Sequence, residues 1–265
     1  MGHQTVSGTC AVSDATDHQA ALRALGLLDL TDLADDCRAA AVEALVDRAV
    51  TPFGHVAAIC IWPQFVQAAR ARLRGKVAIA TVINFPAGGE NVDRAVDDTR
   101  EALGDGADEI DLVMPYRALM RGDENIVREM IEAVAAETAE EKILKVILET
   151  GALGTPALIE RASDIAIAAG ANFIKTSTGK IAVSATPEAA RIMIGAIARS
   201  KKPVGFKAAG GIRTLADAKT YLAIADEIMG PDWAKPETFR FGASGLLDAL
   251  LTELSGRAGE GAGGY

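Results

Sequence analysis

The chain has 265 residues, of which 49% are hydrophobic and 24% are charged, a composition typical of a globular protein and sufficient for one large domain. Its formal net charge of -9 argues against a nucleic-acid-binding surface, which needs a local excess of Lys and Arg. We therefore expect small-molecule partners and no nucleic acid.

The cysteines and the apolar runs indicate the cellular compartment. Cys10, Cys37 and Cys60 are odd in number and lack CxxC spacing, so neither a disulfide framework nor a zinc ribbon is indicated. No apolar run reaches the roughly 18 residues of a membrane-spanning helix. The polar first residues also lack the features of a signal peptide. These features predict a soluble cytoplasmic protein without a membrane partner.

Eight segments with the character of β-strands recur along the chain. In order, they are LLDL (27–30), HVAAICIW (55–62), KVAIATVINF (76–85), EIDLVMP (109–115), KILKVILET (142–150), FIKTST (173–178), KPVGFKAA (202–209) and RFGASG (240–245). Between them lie segments such as 93–107 and 125–141, in which apolar residues return every three or four positions. This spacing predicts amphipathic helices that alternate with the strands.

Three sequence signals mark where helices begin. Thr155 and Thr186 each precede a proline, which is the pattern of an N-cap followed by Pro at the first helical position. Thr214, with Asp217 three residues later, resembles a capping box. We expect a helix to start at each of these positions, directly after a strand and its loop.

Alternation of eight strands with helices predicts a single-domain (β/α)8 TIM barrel. The alternative is an open doubly wound sheet, which usually has fewer strands and carries a GxGxxG or Walker A loop after the first one. Neither motif occurs here. We expect residues 17–256 to form the barrel, residues 1–16 to be a mobile segment, and residues 257–265 to be a flexible tail that ends in Tyr265.

Two lysines interrupt apolar strands, Lys175 in FIKTST and Lys207 in KPVGFKAA. If both point into the barrel from neighbouring strands, their ammonium groups lie about 5 Å apart and repel each other by roughly 3 kcal/mol. This repulsion would lower a lysine pKa by about two, and desolvation would lower it further. A neutral amine near pH 7 is a nucleophile that can form a Schiff base with a carbonyl.

Asp111 is a carboxylate within the apolar run EIDLVMP. Facing inwards, it would move protons between the carbinolamine and the second amine, directly or through water. Each residue also has a purely structural interpretation, since a strand lysine can extend to solvent and a buried Asp can serve a nearby backbone group. The combination of Lys175, Lys207 and Asp111 favours catalysis.

The loops after the seventh and eighth strands have the composition of a phosphate site. Gly210 and Gly211 follow the seventh strand, and GASG at 242–245 closes the eighth before an apolar helix. Small residues let backbone N–H groups approach an anion, and Ser244 adds a hydroxyl donor. Lys180, in the loop after the sixth strand, would add a positive charge at the rim.

Other polar residues leave alternatives open. His3, His18 and His55 lack the spacing of metal ligands, so we expect no metal. Cys60 could line the mouth of the barrel, although packing is the favoured interpretation, and for Asp29 the two interpretations are equal. Lys145 and Glu149 share a face of the fifth predicted strand, which suggests that they pair.

Four segments together closely resemble one known family, the class I deoxyribose-phosphate aldolases. They are EIDLVMPYRALM (109–120), FIKTSTGK (173–180), GFKAAGGIRT (205–214) and YLAIADEIMGPDWAKPETFRFGASGLL (221–247). The resemblance runs from about Leu22 to Leu254 and extends to Tyr265. It implies reversible cleavage of 2-deoxy-D-ribose 5-phosphate to acetaldehyde and D-glyceraldehyde 3-phosphate, without a cofactor, in a monomer or a homodimer.

The resemblance also implies a role for particular residues. Lys175 matches the lysine that forms the Schiff base. Lys207 matches the lysine that perturbs it and joins the proton transfer, and Asp111 matches the carboxylate that works through water in the proton relay. Tyr265 matches a tail residue that can reach the site and protonate the enamine. The phosphate contacts correspond to Gly210, Gly211, Gly242 and Ser244, and the residues beside the sugar correspond to Thr178 and Lys180.

Two positions depart from the family pattern. Ala208 stands where close relatives have proline, and Gly245 stands where they have a second serine, which removes a hydroxyl near the phosphate. Two other functions remain open: a barrel of transaldolase type, which uses a ketose donor, and a catalytically silent barrel that only binds a sugar phosphate.

Overall fold

The computed structural model describes residues 9–73, 75–138 and 141–256, with side chains from residue 16 onwards. Eight parallel strands close into a barrel, each hydrogen-bonded to the next in chain order and the last to the first. They are β1 (Leu28–Asp32), β4 (Ala58–Ile61), β5 (Ala78–Ile83), β6 (Glu109–Val113), β7 (Ile143–Ile147), β8 (Phe173–Lys175), β9 (Gly205–Ala209) and β10 (Phe239–Ala243). The predicted barrel and all eight of its strands are confirmed.

A small antiparallel hairpin lies outside the barrel. It pairs β2 (Val50–Thr51) with β3 (Gly54–His55), so His55 belongs to the hairpin and not to the second barrel strand as predicted. Gly54 has a φ of +136°, which a residue with a side chain rarely adopts. Gly54 therefore lets the chain enter β3 directly after the turn at residues 52–53, and the hairpin ends at His55 before β4.

Helices surround the barrel on the outside. They are α1 (Thr9–Gly26), α2 (Ala39–Arg48), α3 (Val66–Arg72), α4 (Val92–Gly104), α5 (Tyr116–Met120), α6 (Glu124–Glu137), α7 (Thr150–Leu153), α8 (Pro156–Ala168), α9 (Pro187–Ser200), α10 (Leu215–Met229) and α11 (Leu246–Leu254), and a 3-10 turn covers Pro63–Phe65. In the described ranges, none of these helices is long and apolar enough to cross a membrane.

The predicted helix starts are confirmed. Thr155 accepts a hydrogen bond from the backbone of Leu158, and Thr186 accepts one from the backbone of Ala189. Thr214 and Asp217 form a reciprocal capping box at the start of α10. The predicted domain boundary at residue 17 falls inside α1, which begins at Thr9. The predictions for residues 1–8 and 257–265 lie outside the described residues.

The main hydrophobic core lies between the barrel and its helices, and it contains the outward-facing strand residues such as Ile110, Leu112 and Phe206. The barrel interior is divided. Strands β4 and β5 contribute small or apolar side chains, whereas β6 to β10 and β1 contribute charged ones. Because alternate residues of a strand face the same side, Glu109 and Asp111 both point inwards while Ile110 points to the helices. This division creates a charged interior beneath the strand ends.

Candidate active site

A cleft of about 820 Å³ opens at the carboxyl ends of the barrel strands, where TIM barrels hold their active sites. Lys175, at the end of β8, reaches it from the interior with only 3% of its surface exposed. The cleft brings together every residue predicted to bind substrate: Thr178, Lys180, Gly210, Gly211, Gly242 and Ser244. Lys175 thus presents a buried amine to the cleft.

Lys175 and Lys207 share one carboxylate oxygen. They are paired positions on β8 and β9, as the sequence predicts, and both point into the barrel. Oδ2 of Asp111 accepts a hydrogen bond from Nζ of Lys175 at 2.7 Å and from Nζ of Lys207 at 2.8 Å. The three residues therefore form one hydrogen-bonded group at the base of the cleft, although Lys207 and Asp111 do not line it.

The pKa of Lys175 is lowered, mainly because burial disfavours its charged form. The Asp111 carboxylate raises it in part, and the Lys207 ammonium lowers it. The predicted direction is correct, but the predicted main cause is wrong, since desolvation exceeds the repulsion between the lysines. The Asp111 carboxylate binds both lysines, so it offsets part of the repulsion between them.

Lys207 behaves differently from Lys175 because it has more anionic partners. Its Nζ lies 2.6 Å from Oδ2 of Asp29 in addition to the bond with Asp111. Burial opposes its charge, but the two carboxylates outweigh burial and raise its pKa above the ordinary value. Three lysines, in turn, hold the pKa of Asp111 well below its usual range despite complete burial. At neutral pH Lys207 is therefore an ammonium and Asp111 a carboxylate.

Asp29 and Cys60 lie in the interior and not in the cleft wall. Asp29 is fully buried and binds Lys207 and Nη1 of Arg240, the latter at 2.6 Å. Cys60 is buried among apolar side chains of β4 and β5, and burial raises the pKa of its thiol. The packing interpretation of Cys60 agrees with this position, and Asp29 has the charged partners that its burial requires.

The predicted pair of Lys145 and Glu149 does not form. Strand β7 ends at Ile147, and Glu149 has left-handed backbone angles (φ 59°, ψ 58°), so the two side chains no longer share a face. Nζ of Lys145 instead contacts Asp111 at 2.9 Å and Glu109 at 2.5 Å. Glu149 has a separate function in the loop that follows β8.

The buried carboxylate of Glu149 fixes the loop on one side of the cleft. Oε2 accepts a hydrogen bond of 2.5 Å from the hydroxyl of Thr178, and Oε1 accepts one of 3.2 Å from the backbone N–H of the same residue. The Thr178 hydroxyl in turn accepts from the backbone of Lys180 at 3.1 Å. Glu149 thereby positions two residues predicted to lie beside the sugar.

The adjacent part of the cleft is formed by glycines and the start of a helix. Gly210 and Gly211 have φ values of +85° and +84°, and a Cβ on Gly210 would lie 2.6 Å from that of Ser184. Ser244 is exposed in the cleft, and α11 begins at Leu246 with no side chain capping its first turn. Exposed backbone N–H groups at such a helix start attract anions.

Gly242 lies so close to Lys207 that there is no room for a side chain. A Cβ at this position would lie 2.9 Å from Cε of Lys207 and 3.0 Å from Cβ of Ala209. Since real Cβ atoms are almost never that close to another heavy atom, any larger residue would displace the lysine. The absence of a side chain at Gly242 therefore helps to place Lys207.

Comparisons with known proteins agree with this geometry. A family model described as "DeoC/LacD family aldolase" matches residues 15–251. The chain belongs to this family. It is 59% identical over 241 residues to a deoxyribose-phosphate aldolase of Agrobacterium fabrum, covering 90% of this chain and 93% of that protein.

Solved structures show the same fold as this DeoC/LacD aldolase. A protein of Coccidioides immitis, provisionally named a deoxyribose-phosphate aldolase, is 30% identical with a TM-score of 0.78, over 87% of this chain and 85% of that one. A Toxoplasma gondii protein with the same provisional name is 23% identical with a TM-score of 0.83, and the match covers 94% of this chain and 99% of that one. The suspected resemblance is confirmed by the family match.

Several residues of the aldolase site were missed from the sequence. Glu109 and Arg240 form an ion pair in the barrel interior, and Arg48 and Arg213 line the cleft. Glu109 could have been found by its spacing, because it lies two residues before Asp111 and must face the same side. Arg48 belongs to α2 and had no such signal, since only the closed barrel brings that helix to the cleft.

Three further predictions concern a metal site, the tail residue Tyr265 and the rim lysine Lys180. Within residues 9–73, 75–138 and 141–256, no group of three or more His, Cys, Asp or Glu side chains could hold a metal ion. Tyr265 lies outside the described residues, so its predicted reach into the site stays a prediction. The rim lysine, Lys180, is described, and its Nζ pairs with Asp35 at 2.6 Å.

Proposed function

We propose that this aldolase reversibly cleaves 2-deoxy-D-ribose 5-phosphate to acetaldehyde and D-glyceraldehyde 3-phosphate through a Schiff base on Lys175. The observation that carries the proposal is the position of Lys175 between the cleft and Asp111, with its pKa lowered by burial. The name of the Agrobacterium fabrum relative, which spans nearly the same length, supports the substrate.

Each step follows from the charges in the site. The neutral amine of Lys175 attacks the aldehyde carbon of the open sugar, and loss of water from the carbinolamine gives a cationic imine. That cation withdraws electrons, so the bond between C2 and C3 breaks as the C3 hydroxyl passes its proton through a water to Asp111, and glyceraldehyde 3-phosphate leaves. Protonation of the remaining enamine and hydrolysis release acetaldehyde. Lys207 remains protonated and acts as a hydrogen-bond donor, and Asp111 orients both amines.

The phosphate would occupy the side of the cleft formed by Gly210, Gly211 and Ser244, near the start of α11. Arg213, which is exposed in the same cleft, supplies a positive charge. Thr178 and Lys180, on the adjacent loop, would contact the sugar. A cytoplasmic location and a homodimer also belong to this proposal.

Trapping with acetaldehyde and cyanoborohydride, followed by peptide mass mapping, tests the proposal. We expect one ethyl group confined to Lys175, loss of the adduct in Lys175→Leu, and full retention in Lys219→Leu, a surface lysine that pairs with Asp17. A ketose donor that traps in place of acetaldehyde would indicate transaldolase-type chemistry. Stabilisation by a sugar phosphate without any adduct would indicate the silent barrel.

Tyr265 is proposed to protonate the enamine from the tail. Deleting it should slow exchange of the acetaldehyde methyl protons with solvent deuterium, measured by NMR, without changing the thermal unfolding midpoint. Unchanged exchange would leave Tyr265 without a catalytic role.

A further inference from the structure

The charged groups inside the barrel form one connected cluster. In the part of the chain that the structure describes, it joins four cations to three carboxylates by contacts of 2.5 to 3.7 Å, and no member exposes more than 6% of its side chain. The cations are Lys145, Lys175, Lys207 and Arg240, and the carboxylates are Asp29, Glu109 and Asp111.

The charges of this cluster do not balance when every group is ionised, because one positive charge is left over. Buried charges without a compensating partner are costly, so the cluster favours the loss of one proton. Lys145 has three carboxylates within 4 Å, Lys207 has two and Arg240 has two. Lys175 has only Asp111, and it shares that oxygen with Lys207. Lys175 is therefore the cation whose neutral form balances the cluster.

The other groups around Lys175 do not change this balance. On β4 the thiol of Cys60 stays neutral because burial raises its pKa, and β5 presents Ala80 and Val82. Among the described residues, the carboxylate of Glu149, beyond β7, accepts hydrogen bonds from Thr178 and forms no ion pair with a member of the cluster, and Lys180 pairs with Asp35 at the rim. The proton state of Lys175 thus depends on the cluster as a whole and not on Lys207 alone.

We call three of the members the lower tier: Glu109, Lys145 and Arg240. Like Asp29, Asp111 and Lys207, they do not line the cleft. Arg240 binds both Glu109 and Asp29, and Lys145 bridges Glu109 to Asp111. We infer that this lower tier sets the proton occupancy of Lys175 by fixing the net charge of the cluster. The inference rests on the proposed Schiff-base function of Lys175, and it makes these residues positioning residues that act through Asp111 and Asp29.

The same charge balance favours the next step of the reaction. The neutral amine, acetaldehyde and one proton give the cationic imine and water, which returns the surplus positive charge to the cluster. Loss of a proton from the carbon next to the imine gives a neutral enamine and removes that surplus. The lower tier therefore favours both neutral species, the free amine and the enamine, over the cation between them.

Paired substitutions with opposite predicted signs test the inference. Glu109→Gln removes a negative charge with little change of shape, so Lys175 should lose its proton at lower pH. Lys145→Met removes a positive charge, so Lys175 should keep its proton to higher pH. We expect the pH midpoint of reductive trapping at Lys175 by acetaldehyde to move by about one pH unit in each direction. The midpoint of the double variant should return close to that of wild type. The midpoint of Glu227→Gln, in which a surface partner of Arg191 is changed, should equal that of wild type.

The outcomes separate this inference from the proposed function. Absence of any wild-type adduct would overturn both, whereas a wild-type adduct with unmoved midpoints, or midpoints that move the same way, would overturn this inference alone. A merely structural role of Glu109 and Lys145 does not produce shifts of opposite sign. If Lys145→Met fails to fold, as judged by circular dichroism, the sign of the Glu109→Gln shift decides.

Discussion

Lys175 and Lys207 are paired positions on β8 and β9, and their ammonium groups converge on the same oxygen of Asp111. Their pKa values nevertheless move in opposite directions, that of Lys175 downwards and that of Lys207 upwards. Burial disfavours both charges, but Lys207 binds two carboxylates, Asp29 and Asp111, whereas Lys175 pairs with Asp111 alone among the described residues. This difference suits the proposed reaction, in which Lys175 is the nucleophile and Lys207 remains a cation.

Lys207→Met should shift the activity to alkaline pH. Removing the neighbouring ammonium removes an interaction that lowers the pKa of Lys175, so that pKa rises and less neutral amine is present at neutral pH. We expect kcat/KM for 2-deoxyribose 5-phosphate to fall on the order of 100-fold at neutral pH and to recover in part as the pH increases. The measurement is a pH profile beside that of Lys219→Met. A profile that keeps its wild-type midpoint would contradict the coupling of the two lysines.

Asp111 should make the protein sensitive to acid. Its pKa is lowered in the folded state, so its contribution to the free energy of unfolding is fully present above the unfolded pKa of about 4 and is lost as the pH falls towards the folded value. Each unit of difference between the two pKa values contributes about 1.4 kcal/mol. Urea unfolding between neutral pH and about pH 3 should therefore show a shallower acid loss in Asp111→Asn than in wild type.

A suitable control for this prediction is Asp226→Asn, which removes a carboxylate paired with Arg23 on the outside of the barrel. Its acid dependence should stay close to that of wild type, because both groups of that pair are partly exposed to solvent. Equal slopes for wild type and Asp111→Asn would mean that Asp111 contributes nothing to acid stability.

The fold was predictable from local signals. The eight strands and the helix starts at Thr155, Thr186 and Thr214 depend on residues close in sequence, and all are confirmed. The positions of Lys175 and Lys207 followed as well, because strand order and side-chain alternation fix which residues become neighbours in a parallel barrel.

The partners of the charged residues were not predictable in the same way. Lys145 and Glu149 fit a shared face only if the strand continues, and its end at Ile147 removes that relation. The contact of Arg240 with Glu109 joins side chains 131 residues apart across the barrel. Such contacts depend on the depth that each long side chain reaches, which alternation alone does not specify.

Glu149→Gln should impair substrate binding more than amine chemistry. A glutamine side chain has only one acceptor oxygen, so it can no longer accept both hydrogen bonds from Thr178, and the loop loses one of its attachments. We expect KM for the sugar phosphate to increase roughly tenfold, which corresponds to about 1.4 kcal/mol. Trapping of acetaldehyde at Lys175 should be nearly unchanged. Glu160→Gln on the surface is the matched control, and an equal loss in both assays would contradict a role confined to the loop.

Lys207→Met should lower the free energy of unfolding, whereas Lys175→Met should not, although both substitutions remove a buried lysine. Lys207 provides two ion pairs, with Asp29 and Asp111, so its loss leaves buried carboxylates short of partners and should cost about 3 kcal/mol. Lys175 is the surplus cation of the cluster, and Asp111 keeps Lys145 and Lys207 without it. We therefore expect Lys175→Met to be inactive yet as stable as wild type or more stable by on the order of 1 kcal/mol, as is common where a site sacrifices stability for function.

Urea unfolding at neutral pH measures the stability of both variants, with Lys219→Met as a surface reference. Equal destabilisation by the two substitutions would show that Lys175 is held as firmly as its neighbour and that the interior charges are already balanced with its proton in place.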